Sequence, residues 1–361
     1  MTEKRNLFTS ITLGPYTLPN RIAMAPMTRN RASAEGVPTD MMVRYYAQRA
    51  GAGLIISEGV IISPEGFAYP NTPGIFTPAQ LQGWKAVTDA VHARGGRIFA
   101  QLWHCGRVAH PEVNGGLQPI GPSAVAARGE TYTPSGNKPF VTPRAMSLQD
   151  IAETVEHYAQ AARNAKAAGF DGVEIHGANG YLIDQFLRDG SNRRTDAYGG
   201  SIANRARFLM EVTEAVLGVW DRGCVGVRLS PLQPFNDMRD SNPEATFSYV
   251  VKALGDFKLG YLHITEMGKE SPGVAGPAFD LRTLRPLWPT VYMTNGGYTF
   301  ETATAAIARG EADMISFGQL FIANPDLVER LRRGAPLNTP DPSTFYTGGE
   351  KGYLDYPVLY P

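Results

Sequence analysis

Eight short apolar runs rich in β-branched residues recur along the chain, each followed by glycine, proline or polar residues and then by room for a helix. Most of them place apolar residues at successive positions, which is typical of parallel strands covered on both faces. Eight repeats of strand and helix predict an α/β protein, a single (β/α)8 TIM barrel in one domain over residues 1–361. The runs are RIAMAPM (21–27), GLIISEG (53–59), RIFAQLW (97–103), GVEIHGA (172–178), CVGVRLS (224–230), GYLHITE (260–266), VYMTNGG (291–297) and MISFGQL (314–320).

Three of the intervening segments carry clear helix signals. Residues 78–94 repeat apolar side chains at spacings of three and four. Residues 147–168 begin with Ser147, a residue type that favours the N-cap position. Residues 201–222 continue the same periodicity after Ser201. The three segments therefore predict helices between the strands.

Two segments do not fit the simple repeat. Residues 105–146 are far longer than the usual connection between a strand and a helix, and Thr131–Thr133 and Phe140–Thr142 flank a Pro-Ser-Gly-Asn turn. This pattern predicts a β-hairpin, which we interpret as a lid on the active-site face. The tail over 338–361 is rich in proline, glycine and tyrosine and must pack on the barrel to be ordered.

Composition excludes several classes of function. The 34 basic and 34 acidic residues cancel, which argues against a partner such as nucleic acid or an anionic membrane. No run approaches the roughly 18 apolar residues of a membrane span, and no signal-like segment opens the chain, so we expect a cytoplasmic protein. The two cysteines, Cys105 and Cys224, cannot build a zinc or iron–sulfur site, and the histidines lack metal-ligand spacing. No metal is therefore expected.

Polar residues and glycines follow the strands where a barrel places its catalytic groups. They include hydrogen-bond donors, one fixed cation and glycine-rich turns at the last two strands, where barrels often bind a phosphate. This combination favours an anionic organic cofactor. No two carboxylates share a strand end, which argues against glycosidase chemistry. The candidates are Pro26, Met27, Thr28, Gly59, Gln101, Trp103, His176, Asn179, Arg228, Gly296, Gly297, Gly318 and Gln319.

Motifs spread over essentially the whole chain resemble the old yellow enzyme family of FMN-dependent ene-reductases. They are IAMAPMTRNR (22–31), FAQLWHCGR (99–107), HGANGYLIDQFLRDGSNRRTDAYGGSIANR (176–205), VGVRLSP (225–231), NGGYT (295–299) and FIANPDL (321–327). The first strand ends in Thr28, as in the branch of pentaerythritol tetranitrate reductase and N-ethylmaleimide reductase. The resemblance implies FMN as cofactor and NADPH or NADH as electron donor. No GxGxxG follows any strand, so the nicotinamide is expected to use the same pocket as the substrate in ping-pong turnover.

The resemblance also implies roles for the substrate-side residues. His176 and Asn179 would hold the carbonyl or nitro oxygen of an activated alkene, and Tyr181 would donate the proton. Tyr69, Trp103 and Tyr346 would form aromatic pocket walls, although isolated aromatic residues are often simply core. The less favoured alternatives are a pocket-wall aromatic for Tyr181 and a structural histidine for His176.

Other residues would contact the cofactor by the same resemblance. Thr28 would bond the flavin carbonyl next to N5, Gln101 the pyrimidine edge, and Arg228 the N1/C2 carbonyl region. The alternatives are ordinary polar residues at strand ends and, for Arg228, a salt bridge to Glu174. Pro26, Met27 and Gly59 would line the same site.

One position departs from the family pattern. Relatives have arginine after the glycine that precedes the FIANPDL-like stretch, whereas this chain has Gln319. An amide supplies no charge to a phosphate, so FMN is expected to bind more weakly, with backbone amides of Gly296, Gly297 and Gly318 carrying more of the phosphate site. Asn192-Arg193-Arg194 could suggest a second phosphate site, but a loop salt bridge is the preferred interpretation.

The function expected from the resemblance is NAD(P)H-dependent reduction of small activated alkenes. Reduction of nitro groups or nitrate esters is the alternative within the same enzyme class. A flavin-free barrel lyase or isomerase for sugar phosphates, and a non-catalytic flavin- or steroid-binding protein, are the alternatives of other kinds. The sequence leaves monomer and homodimer open.

Overall fold

The structure, a computed structural model, describes residues 5–266 and 279–359. Its strands are β1 (Ile11–Leu13), β2 (Tyr16–Leu18), β3 (Ile22–Met24), β4 (Leu54–Ile61), β5 (Ile98–Trp103), β6 (Ile120–Gly121), β7 (Glu130–Thr133), β8 (Gly136–Pro139), β9 (Arg144–Ala145), β10 (Gly172–Gly177), β11 (Val225–Leu229), β12 (Tyr261–Thr265), β13 (Val291–Asn295) and β14 (Met314–Phe317). Its α-helices are α1 (Asp40–Gln48), α2 (Pro78–His92), α3 (Leu148–Ala167), α4 (Leu182–Leu187), α5 (Ile202–Leu217), α6 (Pro243–Gly255), α7 (Phe300–Arg309), α8 (Gln319–Ala323) and α9 (Leu327–Arg333). Short 3-10 helices span Pro64–Gly66, Gly106–Val108, Arg222–Cys224, Leu281–Leu287 and Pro342–Thr344.

Eight of the strands form one closed barrel in the order β3, β4, β5, β10, β11, β12, β13 and β14, with β14 pairing back to β3. All neighbours pair in parallel. The predicted (β/α)8 barrel is confirmed, and each predicted run overlaps one barrel strand. Because the strands run the same way, the residues that follow them gather at one face of the barrel.

The predicted helices are present, with one boundary corrected. Ser147 accepts a hydrogen bond from the backbone N–H of Asp150, and the Asp150 carboxylate accepts one from the backbone N–H of Ser147, so a capping box fixes the start of α3. The helix predicted over 201–222 ends at Leu217. Gly218 is the C-cap, and the N–H of Val219 bonds the carbonyl of Val216 only three residues back, so the chain tightens into a turn there and the helix ends.

The insertion over 105–146 contains a hairpin, but its second strand is not the predicted one. β7 pairs antiparallel with β8, and Thr133 lies opposite Gly136, so the turn has only two residues. The prediction of a strand at Phe140–Thr142 is therefore wrong. That prediction followed β-propensity, whereas the short turn and the positive φ of 97° at Gly136 set the register several residues earlier.

A second pairing holds the insertion at its ends. β6 and β9 pair in parallel, so the first and last parts of the insertion lie side by side. Arg194 donates to the carbonyls of Pro122 and Met146 and forms an ion pair with Asp196. Arg194 thus has the loop salt bridge that was expected of it, and it joins the insertion to the loop after α4.

The opposite end of the barrel is closed by the β1–β2 hairpin. Leu13 and Leu18 of this hairpin pack against Phe99, Tyr261 and Met293 inside the barrel. Burial of an apolar side chain of this size stabilises the fold by about 1.5–3 kcal/mol. The site described below must therefore open at the other end.

Buried arginines fasten the tail to the barrel. Arg29 donates to the carbonyls of Phe345 and Gly352, and Arg31 donates to those of Thr344 and Phe345. Both arginines follow β3 in the chain, so the tail is anchored at the carboxyl end of that strand. Within the described ranges no helix is long and apolar enough to cross a membrane.

Candidate active site

Strand register brings five polar residues together inside the barrel. Glu174 on β10 lies opposite Gln101 on β5, and His176 on β10 lies opposite Arg228 on β11. Arg228 in turn lies opposite His263 on β12. All five are buried. Three of the residues predicted from the sequence, Gln101, His176 and Arg228, therefore share one region near the carboxyl ends of the strands.

The turn after β10 is held in an unusual backbone conformation. Asn179 and Gly180 have φ angles of 57° and 76°, in the left-handed region. The backbone N–H of Asn179 donates to the Ser230 hydroxyl at 2.7 Å, and its carbonyl accepts from the Asn236 amide at 2.8 Å. The Asn179 backbone is thus fixed on both sides by residues that follow β11.

A buried ion pair between Asp184 and Arg188 stabilises the same turn. Asp184 accepts from the N–H of Gly180 at 2.9 Å and from Arg188 at 2.8 Å, and both side chains are buried. Breaking a buried pair of this kind costs about 3–5 kcal/mol because one charge is left uncompensated. The pair therefore makes the turn rigid.

His176 is neutral and donates from a defined atom. Only 5% of the residue is exposed, and its Nδ1 accepts from the N–H of Ala178 at 3.3 Å. Burial, followed by the charge of Arg228, lowers the pKa of His176 to about 3. At neutral pH the ring proton therefore lies on Nε2, where it can be donated to a ligand.

Tyr181 is a buried phenol beside a second phenol. It is 7% exposed, and its hydroxyl lies 3.3 Å from that of Tyr69. Burial, with Tyr69 and Cys105 nearby, raises the pKa of Tyr181 well above its usual value. The hydroxyl is therefore protonated at every physiological pH.

Aromatic rings surround this phenol. Trp103 stacks on Tyr69 with ring centroids 5.9 Å apart, and it meets Tyr181 edge-on at 4.8 Å. Phe140, from the insertion, packs on the same apolar cluster. Tyr346, the third predicted wall residue, is 69% exposed, although it is close enough to raise the pKa of Tyr181. The structure thus brings two of the predicted aromatic residues around Tyr181 and leaves Tyr346 at the solvent side.

Comparison with known proteins decides the family. The family model described as the NADH:flavin oxidoreductase / NADH oxidase family matches residues 6–338. The chain belongs to this family. The 12-oxophytodienoate reductase 7 of Oryza sativa subsp. japonica is 45% identical, covering 98% of this chain and 94% of the relative. The probable flavin mononucleotide-dependent alkene reductase of Leishmania infantum is 45% identical over 96% of each chain.

A solved structure extends the match to the fold. The old yellow enzyme homologue from Zymomonas mobilis superposes with a TM-score of 0.95 at 46% identity, covering 98% of this chain and 100% of that one. The resemblance to old yellow enzymes is confirmed, and the chain is an FMN-dependent oxidoreductase of a family that includes ene-reductases. Its placement in the branch of pentaerythritol tetranitrate reductase stays a prediction.

The buried residues fit the ring of FMN, the cofactor of this family. Arg228 bonds His263 and Asn295 through its terminal nitrogens, yet its Nε–H is buried without a partner among the described residues. A buried donor left unpaired destabilises the fold by about 1–3 kcal/mol. A carbonyl oxygen of the flavin that accepted from this Nε–H would remove that cost. Gln101 donates from Nε2 to Glu174 at 2.7 Å, which leaves its Oε1 as the atom able to accept from a ligand.

Glycine-rich turns also fit the phosphate end of the cofactor. Gly296 and Gly297 have φ angles of 150° and 71°, which glycine adopts far more readily than other residues. Gly318 precedes α8, and a Cβ on it would lie 3.4 Å from the sulfur of Met27. The residues after β3 and after β14 are therefore neighbours. Gln319 begins α8 with an exposed side chain.

The remaining predicted cofactor residues lie at the same end of the barrel. Pro26 and Thr28 are half-buried after β3. Gly59 is buried at an irregularity in β4, where a Cβ would come within 2.3 Å of the Trp103 ring. The structure thus gives a reason for glycine here that the sequence analysis missed: the close approach of an indole.

Several residues that hold the site were not selected from the sequence. The sequence suggests Glu174 only as an ion-pair partner of Arg228, whereas in the structure His263 lies between the two and bonds both. Asp184 and Ser230 are not predicted from the sequence, although Asp184 falls within the HGANGYLIDQFLR motif and its position there is the signal that could have found it. In the part of the chain that the structure describes, no group of His, Cys, Asp and Glu side chains could hold a metal ion.

Proposed function

We propose that this protein is an NAD(P)H-dependent ene-reductase that reduces the C=C bond of α,β-unsaturated carbonyl or nitro compounds. The observation that carries the proposal is the pairing of a neutral donor near the end of β10 with a protonated acid in the rigid turn that follows it. His176 and Tyr181 are both buried, and their ring centroids are 5.0 Å apart. A substrate in contact with one is therefore within reach of the other.

The two side chains divide the chemistry between them. The Nε2–H of His176, with the Asn179 amide, binds the carbonyl or nitro oxygen and withdraws electron density from the alkene. FMN, when bound, would supply the hydride for the β-carbon from its N5. Tyr181 delivers the proton to the α-carbon, so that one hydride and one proton together saturate the double bond.

The electron donor and the substrate use the pocket in turn. The sequence has no separate dinucleotide-binding fingerprint, so NADH or NADPH must approach the flavin where the alkene later lies. Turnover is then ping-pong. The aromatic pair Tyr69 and Trp103 would form the walls of this shared pocket, with Tyr346 at its rim and the hairpin insertion as its lid.

The phosphate end binds FMN more weakly than in relatives that carry an arginine there. Gln319 is exposed and uncharged, so backbone N–H groups of Gly296, Gly297 and Gly318 would hold the phosphate. Thr28, Gln101 and Arg228 would contact the flavin ring, with Pro26, Met27 and Gly59 beside it. Arg228 would offset negative charge on the reduced cofactor.

The visible spectrum of the purified protein with excess FMN tests the proposal. Under anaerobic conditions, NADPH or NADH should bleach the flavin bands and 2-cyclohexenone should restore them. A His176→Ala variant should still bleach with NADPH but recover at least tenfold more slowly with the enone. A protein that takes up no FMN, or that bleaches but never recovers with the enone or a nitroalkene, would overturn the proposed function.

A further inference from the structure

A buried carboxylate and a buried imidazole lie beneath the residues that meet the flavin. Glu174 and His263 are both 0% exposed, on strands β10 and β12. Their Oε2 and Nδ1 atoms are 2.8 Å apart. Neither residue has a role in the hydride or proton transfers proposed above, so the pair needs another explanation.

The proton positions in this pair follow from the chemistry of its partners. Burial opposes ionisation of Glu174, but the interactions with His263, Arg228 and Gln101 outweigh it and hold the pKa of Glu174 below its usual value. Burial and the charge of Arg228 lower the pKa of His263 to about 4. At neutral pH an ionised Glu174, which can only accept, faces a neutral His263 whose Nδ1 carries the proton.

The proton on Nδ1 also determines the role of Nε2, the other ring nitrogen of His263. With the proton on Nδ1, Nε2 is an acceptor, and a terminal nitrogen of Arg228 lies 2.8 Å from it. The Ser316 hydroxyl lies 2.7 Å from the same atom. One terminal nitrogen of the guanidinium thus bonds His263, and the Nε–H is the donor left without a partner in the part of the chain that the structure describes.

The carboxylate also sets the orientation of Gln101. The Oε1 atom of Glu174 is 2.7 Å from Nε2 of Gln101. Because a carboxylate cannot donate, the amide nitrogen must face it and the amide oxygen must be the atom left over. Glu174 therefore determines that Gln101 presents an acceptor, and through His263 it fixes which N–H of Arg228 is left to face a ligand.

We propose that Glu174 and His263 are positioning residues that set the hydrogen-bond polarity of Gln101 and the orientation of Arg228 where these two side chains meet the flavin pyrimidine. An acceptor from Gln101 matches the N3–H group, and a donor from Arg228 matches the N1/C2=O edge. The pair also balances the charge of Arg228 with one carboxylate. This inference rests on the proposed function only in that Gln101 and Arg228 contact FMN.

The test is made on FMN binding and on the flavin reduction potential. Glu174→Gln removes the charge beneath the flavin and lets the Gln101 amide turn over. The FMN dissociation constant should rise about tenfold. The equilibrium constant for flavin reduction should rise about tenfold as well, which is about 30 mV for a two-electron couple, because the uncompensated Arg228 favours the more negative reduced flavin.

A matched control separates positioning from general destabilisation. Asp171 is a buried carboxylate three positions before Glu174, immediately before β10, and it forms ion pairs with Arg97 and His92. Asp171→Asn removes an equal charge from a similarly buried site and should lower the melting temperature without moving the potential. His263→Gln, which changes no charge at neutral pH, should raise the FMN dissociation constant but shift the potential much less than Glu174→Gln does.

The results that would overturn this inference differ from those that would overturn the proposed function. If the wild type binds FMN but Glu174→Gln and Asp171→Asn shift its potential equally, or not at all, the positioning role is wrong. Should Glu174→Gln not fold, His263→Gln with wild-type FMN affinity overturns the inference by itself. A wild type that binds no FMN overturns both, whereas intact FMN effects without enone turnover would leave this inference standing.

Discussion

The phenol oxygens of Tyr69 and Tyr181 lie 3.3 Å apart in a buried pocket, so the two hydroxyl groups form a hydrogen-bonded pair. The two tyrosines come from different connections of the barrel. Tyr69 lies in the loop after β4, and Tyr181 lies in the turn after β10. Trp103 packs on both rings. These contacts fix the orientation of the Tyr181 hydroxyl. Without them the hydroxyl could rotate freely.

Replacing Tyr181 by Phe should slow alkene reduction while leaving flavin reduction by the nicotinamide nearly unchanged. A positioned general acid contributes about 10²–10⁴-fold to a proton transfer, so the rate of flavin reoxidation by 2-cyclohexenone should fall by about that factor. Stopped-flow absorbance measures the two half-reactions separately.

Tyr69→Phe is the matched control, because it removes the same atom from the neighbouring ring. It should slow reoxidation only severalfold, through loss of the hydrogen bond that orients Tyr181. Equal losses in the two variants would contradict the assignment of Tyr181 as the acid.

The rate of flavin reoxidation should be flat from pH about 5 to about 9. His176, with a pKa lowered to about 3, stays neutral over this range. Tyr181, with a pKa raised well above its usual value, stays protonated and loses its proton only at higher pH. A descending limb with a midpoint below pH 9 would show that the acid is a different group. Stopped-flow rates in a constant-ionic-strength buffer series provide the profile.

The barrel was predictable because its strands are continuous β-branched runs, a pattern that depends only on local sequence. The hairpin strand was not, since Gly136–Pro139 has little β-propensity and pairs only because the turn dictates its register. His176, Asn179 and Tyr181 stand in one motif and could be selected together. His263 could not, because its partners Glu174 and Arg228 are brought to it by the strand order of the barrel and not by proximity in sequence.

Replacing Gln319 by Arg should tighten FMN binding. The side chain is exposed at the start of α8, next to Gly318, so a longer cationic side chain has room to reach an anion there. A charged hydrogen bond contributes about 1.5–3 kcal/mol, which corresponds to a fall of roughly tenfold to a hundredfold in the FMN dissociation constant. Quenching of FMN fluorescence measures that constant.

Gln160→Arg, at an exposed position of α3, controls for the added charge and should leave FMN affinity unchanged. The gain at Gln319 should also shrink as salt is raised, because part of it is electrostatic. If Gln319→Arg binds FMN no more tightly than the wild type, the phosphate does not lie at this turn.

Glu58 should make the protein less stable as pH rises from 5 to 8. The carboxyl is buried, and burial raises its pKa to about 7 even though the Tyr46 hydroxyl donates to it at 3.1 Å. Since the folded state holds this proton more tightly than the unfolded chain, its contribution is complete below pH about 4.5 and is lost as pH rises through about 7. Glu58→Gln cannot ionise, so it should gain stability relative to the wild type over this range, by at most about 3 kcal/mol. Urea unfolding at pH 5 and pH 8 measures the difference.

Asp150→Asn is the control, because its pKa is shifted in the opposite direction to that of Glu58. The Arg144 guanidinium holds the pKa of Asp150 low, so this variant should lose the same stability at both pH values. A Glu58→Gln effect that is equal at pH 5 and pH 8 would mean that Glu58 does not titrate between them.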